Sequence, residues 1–256
     1  MNLLQLIEIE SKFEHLSIIP IFDEILKYTL SLISGGIQTG ILTELYGEAG
    51  CGKTHVCMTL MINTIINYKT SRVIYISTAK QLQQDRFNQL LCKISYVIGN
   101  QNIAWFTNLF NKCIIQHLNN TKFMDEYIYE QLPTLLEQYQ FKLIIIDNIT
   151  TYLQELQLTL NQMQKTSILK KFSNHFRKLA KKHNIAVVFV NNVVSSTQNN
   201  KLYPALGIKW SEMIDERIQV EKKGMIRHFR IDISHRVALD DAAFTIQESG
   251  IYPQVD

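Results

Sequence analysis

Apolar residues recur along this chain in two rhythms, which separate strands from helices. Alternating or continuous short apolar runs predict strands over 41–46 (ILTELY), 72–77 (RVIYIS), 113–117 (CIIQH), 141–147 (FKLIIID) and 185–190 (IAVVFV). The unbroken run Leu143-Ile144-Ile145-Ile146 marks a central strand of a parallel sheet covered on both faces. Helical spacing predicts helices over 54–68, 82–97, 123–139 and 165–183. Two more are predicted before residue 35: Leu3, Leu4, Ile7, Phe13 and Leu16 share one face, and Phe22, Ile25, Leu26 and Leu30 share another. Strands alternating with helices predict a doubly wound α/β fold. From Met213 onward strands follow strands (214–221, 225–233 and 243–247, with a Lys223-Gly224 turn), which predicts an antiparallel extension. The stretches 148–164 and 192–207 read as polar connections. The organisation expected is an N-terminal helical segment over 1–34 and a single core domain over 35–256.

Composition narrows the class. Of the 256 residues 46% are hydrophobic, enough for a sizeable core and too many for a disordered chain. A net charge of +3 does not by itself mark a nucleic-acid binder. Cys51, Cys57, Cys92 and Cys113 form no C-x-x-C pair, so reduced thiols are expected. No apolar run reaches membrane-spanning length and the start Met1-Asn2-Leu3 is not basic. A soluble intracellular protein without membrane contact is the expectation. None of the seven histidines stands at metal-ligand spacing from a cysteine or an acid.

One stretch carries explicit chemistry. Gly47-Glu48-Ala49-Gly50-Cys51-Gly52-Lys53-Thr54 fits the phosphate-loop pattern G-x-x-x-x-G-K-[ST] at every fixed position. Its glycines let successive N–H groups turn inward onto phosphate oxygens, Lys53 reaches the β- and γ-phosphates, and the Thr54 hydroxyl meets Mg²⁺. The helix that follows offers its positive end to the same anion. ATP and Mg²⁺ are the expected ligands. A metal held between phosphates also needs a carboxylate, and Asp147 stands at the C-terminal end of its strand, where α/β sheets place ligand groups. Lys53, Thr54 and Asp147 are therefore the candidate catalytic set, with Thr54 and Asp147 the metal pair.

Taken together, these residues resemble a known family. Gly35-Gly36-Ile37-Gln38-Thr39-Gly40 with ILTELYGEAGCGKT, VIYIST at 73–78, Asp85-Arg86-Phe87, LIIID at 143–147, VVFVNNV at 187–193 and FTIQESGI at 244–251 resemble the core of RecA-like recombinases of the eukaryotic and archaeal type. Tyr203-Pro204-Ala205-Leu206-Gly207-Ile208-Lys209-Trp210 is similar to the P-A-L-G-x-x-W segment of recombinase paralogues, the X-ray repair cross-complementing group among them. The resemblance implies a RecA-like P-loop ATPase core with a mainly parallel sheet. It also implies work in the nucleus, in homologous recombination and double-strand break repair, as one subunit of a complex with another RecA-like protein. Arg86 matches a position that packs near the adenine in relatives; read by itself it is a surface residue on a helix.

The chain departs from that family at three places. Relatives carry a water-activating Glu just after the VIYIST-like strand, where this sequence has Ala79 and Lys80. A positioned acid or base contributes about 10²–10⁴-fold, so slow ATP hydrolysis is expected. Asp85 and Glu48 are acids nearby in sequence, but neither stands at the matching position. Asn192 replaces a Gln that links the γ-phosphate to a DNA loop. The two candidate DNA loops are poor in charge: 148–164 has no Lys or Arg and 192–207 has only Lys201. DNA contact is therefore expected to be weak or to run through the complex. It would use the Lys171, Lys178 and Lys182 stripe or the Lys222, Lys223, Arg227 and Arg230 cluster, both of which also read as solvated faces. The 3–16 helix reads either as a partner-docking element or as packing on its own core. Two other functions remain open: an autonomous DNA-stimulated ATPase of the short archaeal RadB type, and an adaptor that nucleotide only stabilises.

Overall fold

A computed structural model describes residues 18–19, 36–97, 103–158, 160–195, 202–235, 241–248 and 250–254. Nine strands form one sheet. In chain order the strands are β1 (Ile18–Ile19), β2 (Ile37–Gln38), β3 (Leu42–Tyr46), β4 (Arg72–Ser77), β5 (Cys113–His117), β6 (Phe141–Asp147), β7 (Ala186–Asn191), β8 (Val193–Ser195), β9 (Leu202–Pro204), β10 (Glu216–Lys223), β11 (Ile226–Ile233), β12 (Asp241–Gln247) and β13 (Gly250–Pro253). The large sheet runs β13-β12-β11-β10-β3-β7-β6-β4-β5. From β10 to β5 every neighbouring pair is parallel, and from β10 to β13 every pair is antiparallel. The expected doubly wound, mainly parallel sheet with a C-terminal antiparallel extension is therefore what the chain forms.

The period of two along each central strand builds two cores. Leu143 and Ile145 of β6 face one core with Val73, Tyr75, Val188 and Val190; Ile144 and Ile146 face the other with Ile74, Ile76, Val187 and Phe189. Helix α1 (Lys53–Asn67) covers the first face, joined by α2 (Gln84–Val97) and α3 (Ile103–Phe110). The second face carries α4 (Thr121–Glu126), a π-helical turn at Tyr127–Gln131, α5 (Leu132–Gln138), α6 (Ile149–Leu156), α7 (Gln162–His183) and the short α8 (Gly207–Ser211). In the π turn, the Ile128 carbonyl accepts from His175 Nε2 of α7 at 2.9 Å. That contact fixes which ring nitrogen bears the proton, because a carbonyl only accepts.

Several expectations are corrected. The stretch 148–164 is not a plain connection: Asn148 caps α6, its side chain accepting from Thr151 N at 3.3 Å. Helix α7 begins before Lys165, because Asn161 and Gln164 form a capping box that satisfies its first turn. The stretch 192–207 contains the antiparallel pair β8–β9. Strand β3 forms as expected, and all five of its residues are buried, Thr43 and Glu44 included. The helices expected over 3–16 and 22–33 lie outside the described residues, as does Lys201. Within the 1–34 segment Ile18–Ile19 is a strand, paired antiparallel with Ile37–Gln38.

Candidate nucleotide site

Sheet order decides where the site lies. Strands β3, β6 and β4 end at one edge, and the loop Gly47–Thr54 leaves β3 there to enter α1. Gly47 must be glycine because β10 passes close by: an added Cβ would lie 2.1 Å from the Val220 carbonyl oxygen. Gly52 caps α1 at φ 112°, in the left-handed region that side chains rarely adopt, and it makes no side-chain cap hydrogen bond. The first N–H groups of α1 consequently face the loop without a side-chain partner, the arrangement an anion fits.

Lys53 is buried in this loop. Its Nζ donates to the Gly47 carbonyl at 2.6 Å and the Glu48 carbonyl at 2.8 Å, and lies 3.9 Å from Cys51 Sγ. Burial raises the Cys51 thiol pKa, against the pull of Lys53. Glu48, Ala49 and Gly50 form the exposed crest of the loop. Across from it, Thr54 Oγ1 donates to Asp147 Oδ2 at 2.8 Å, so the two residues chosen as the metal pair meet although far apart in sequence. Tyr75, from the middle of β4, donates its hydroxyl to the same Asp147 oxygen at 2.7 Å. Burial and then the Asp147 charge raise the Tyr75 pKa, so the phenol remains a donor. A hydroxyl and a carboxylate held this close suit a hard cation that takes oxygen ligands in an octahedral shell. Among the described residues no three His, Cys, Asp or Glu side chains converge as a metal cage. A Mg²⁺ here would take its remaining ligands from phosphate and water.

A second group of cations flanks the loop. Arg86 donates to the carbonyls of Gln247 (2.6 Å) and Glu248 (2.9 Å), and to His55 Nε2 at 2.9 Å. Because guanidinium only donates, His55 Nε2 must carry a lone pair. The His55 pKa is accordingly pushed down to about 4, by burial first and then by Arg86 and Arg227. Arg227 reaches from β11 to the Cys51 carbonyl, Nε to O at 3.1 Å. Sequence reasoning placed Arg86 here but grouped Arg227 with a possible DNA-facing cluster, and it did not single out His55 or Tyr75. Of the other members of that cluster, Lys223 pairs with Glu221 at 3.1 Å and Arg230 with Asp232 at 2.8 Å. In the α7 stripe, Lys171 lies 4.7 Å from the centre of the Tyr129 ring and Lys182 pairs with Glu137.

The place of the water-activating acid holds none. Ala79 is exposed in the bend after β4. Next to it, Thr78 N donates to the Asp147 carbonyl at 2.9 Å, which fixes the end of β4 to the end of β6. Glu48 and Asp85 are both exposed. Beneath the site lies a buried carboxylate that the sequence pattern concealed. Glu44 of β3 accepts from Asn191 Nδ2 at 2.6 Å and Trp210 Nε1 at 2.9 Å, and pairs with Arg217. The signal was available: an acid three residues before a P-loop, inside a strand otherwise made for burial.

The sequence matches a known family over most of the chain: residues 25–254 fit the Rad51 family. The chain belongs to the Rad51 family. A DNA repair and recombination protein RadB of Methanococcus maripaludis is 30% identical over 227 residues, spanning 86% of this chain and 95% of that relative. The RadB of Methanococcoides burtonii is 28% identical over 194 residues, 75% of this chain and 79% of its own. A DNA repair and recombination protein RadA of Aeropyrum pernix is 26% identical over 171 residues, 64% of this chain and half of the relative. The expected RecA-like recombinase relationship thus holds, and with it the RecA-like fold.

Proposed function

We propose that this Rad51-family chain binds ATP with Mg²⁺ and serves in DNA repair and recombination as the nucleotide-holding subunit of a complex with another RecA-like protein. The observation that carries this reading is the contrast within one site. The P-loop, Thr54 and Asp147 are fully assembled, while the bend where an attacking water would be activated presents Ala79. On this reading Lys53 exchanges the Gly47 and Glu48 carbonyls for phosphate oxygens, and Thr54 and Asp147 hold Mg²⁺. Bound Mg²⁺ neutralises charge on the phosphates. Arg86 flanks the base side of the site from α2. Hydrolysis is slow because Ala79 cannot polarise the attacking water. DNA contact is weak or made through the complex, and the site of action is the nucleus.

The test is affinity purification of the chain with and without ATP, followed by identification of what travels with it. Recovery of a RecA-like partner in an ATP-dependent manner supports the proposal; recovery of the chain alone under both conditions contradicts it. One observation favours a second reading, an autonomous ATPase of RadB type: the match covers 95% of the M. maripaludis protein. DNA-stimulated ATP turnover by the pure chain would select that reading.

A further inference from the structure

The second face of the sheet carries a cavity of about 560 Å³ between α4, the π turn, α6 and α7. Tyr152, Leu156, Ile168 and Phe172 give it an apolar wall, with Tyr152 and Phe172 buried. Its rim carries three carboxylates, Asp125, Glu126 and Glu130, and two ammonium groups, Lys122 and Lys171. Among the described residues none of the five is in an ion pair. Asp125 accepts the Tyr152 hydroxyl, and Glu126 accepts from Gln131 Nε2 at 3.1 Å. Lys171 sets its ammonium over the Tyr129 ring, which leaves Lys122 against three carboxylates. The cavity is therefore apolar within and acidic at its edge. Its volume lies in the range that takes a ligand or an anchoring side chain, roughly 300–1,000 Å³. A π turn in the wall of a cavity also fits a binding role, since such turns are frequent at functional sites.

The complementary chemistry stands elsewhere on the same chain. Strands β10 and β11 pair as far as Lys223 and Ile226, and the two residues Gly224 and Met225 close the turn. Gly224 has φ 64°, the positive value that two-residue hairpin turns demand. Met225, at the tip, is 85% exposed, and Lys222 and Lys223 beside it are exposed too. A methionine suits an irregular apolar cavity, because its thioether chain is flexible and polarisable. Lys223 pairs with Glu221 at 3.1 Å, a surface contact worth little and readily exchanged. The root of the turn is fixed, since Arg227 holds the Cys51 carbonyl. Turn and cavity lie far apart on one molecule. Four strands separate β10 from β5, the strand that leads into α4, roughly 24 Å across the sheet.

We propose that the β10–β11 turn of one molecule docks into the α4–α6–α7 cavity of a second copy of this chain. Met225 enters the apolar wall, and Lys222 and Lys223 meet the carboxylates of Asp125, Glu126 and Glu130. The occupant is a second copy because every molecule carries both halves of the match, an apolar plug flanked by cations and an apolar cavity edged by acids. The two halves are different surfaces, so the contact runs head to tail and extends into open chains rather than closing on itself. A contact this small makes a weak link, with a Kd of roughly 10–100 µM. It uses neither the phosphate loop nor a different RecA-like protein, and so stands apart from the function proposed above.

The experiment is sedimentation velocity of the purified full chain over concentrations that bracket this affinity, at low and at high NaCl. Wild type should associate as concentration rises, and about tenfold more weakly at high salt, which screens the exposed charges. Met225→Asp spoils the plug, and Glu126→Lys with Glu130→Lys reverses the rim. These side chains are exposed, so the melting temperature should stay at the wild-type value, and each variant alone should sediment as a monomer. The equimolar mixture decides the matter. Met225→Asp keeps an intact cavity and the double reversal keeps an intact turn, so together they should form a 1:1 dimer that grows no further. Should a lowered melting temperature show the double reversal to be misfolded, Glu126→Gln with Glu130→Gln replaces it, with the same outcome expected. Wild type that stays monomeric, variants that associate as wild type does, or a mixture that stays monomeric overturns the inference.

Discussion

Lys53 places its ammonium on two carbonyls of its own loop, which makes it a charge held ready without a carboxylate partner. Replacing it should therefore weaken nucleotide binding without harming the fold. Lys53→Ala is expected to lower ATP affinity about 10- to 100-fold, the loss of a charge-assisted hydrogen bond, as read by calorimetry. His55 gives a pH signature. Its pKa is about 4 in the folded chain, against an ordinary value near 6.5. Between those values the unfolded chain binds more protons, so stability rises with pH across that window and is lost as pH falls through it. After discounting for the partial exposure of His55, the loss from about pH 7 to about pH 5 should be on the order of 1 kcal/mol. Denaturant titrations of wild type and His55→Gln check this: the variant should show a correspondingly smaller loss. Most of this site was legible because the P-loop pattern prescribes residue types at fixed spacing, and Asp147 followed from where parallel strands end. Tyr75 and Arg227 were not legible, because each reaches the site by the length of a side chain rooted elsewhere in the sheet.

At the scale of elements, the sequence predicted strands best where apolar residues run without interruption. The predicted ranges of β4, β5 and β6 coincide with those observed. It failed where local capping outweighs hydrophobic period. Asn148 and Asn161 each open a helix inside a stretch that reads as polar connection, because an asparagine side chain can satisfy the first free N–H groups. Asn161→Ala should cost about 1 kcal/mol of stability through loss of the capping box, measured by thermal or chemical unfolding. Strand β3 carries two polar residues, Thr43 and Glu44, and buries both, because β7 and β10 flank the strand and α7 and α8 cover it. Only the partners Asn191, Trp210 and Arg217, supplied by distant segments, make burial of that acid tolerable.

For the whole molecule, the antiparallel extension completes the nucleotide site as well as widening the sheet. Strand β10 presses the Val220 carbonyl against Gly47, and β11 sends Arg227 to the Cys51 carbonyl. Gly47→Ala should therefore lose both stability and ATP binding, since the added carbon meets backbone that cannot swing away; a lowered melting temperature with no gain on adding ATP is the expected result. On the proposed reading the chain holds ATP and passes its occupancy to a partner. The most direct test follows the fate of ATP on the purified chain, measuring binding and hydrolysis in the same samples with Lys53→Ala as control. The prediction is ATP that binds in a Lys53-dependent manner and is recovered intact over many minutes. Turnover of about 1 s⁻¹ or faster, within the ordinary range of enzymes and abolished in Lys53→Ala, would contradict it.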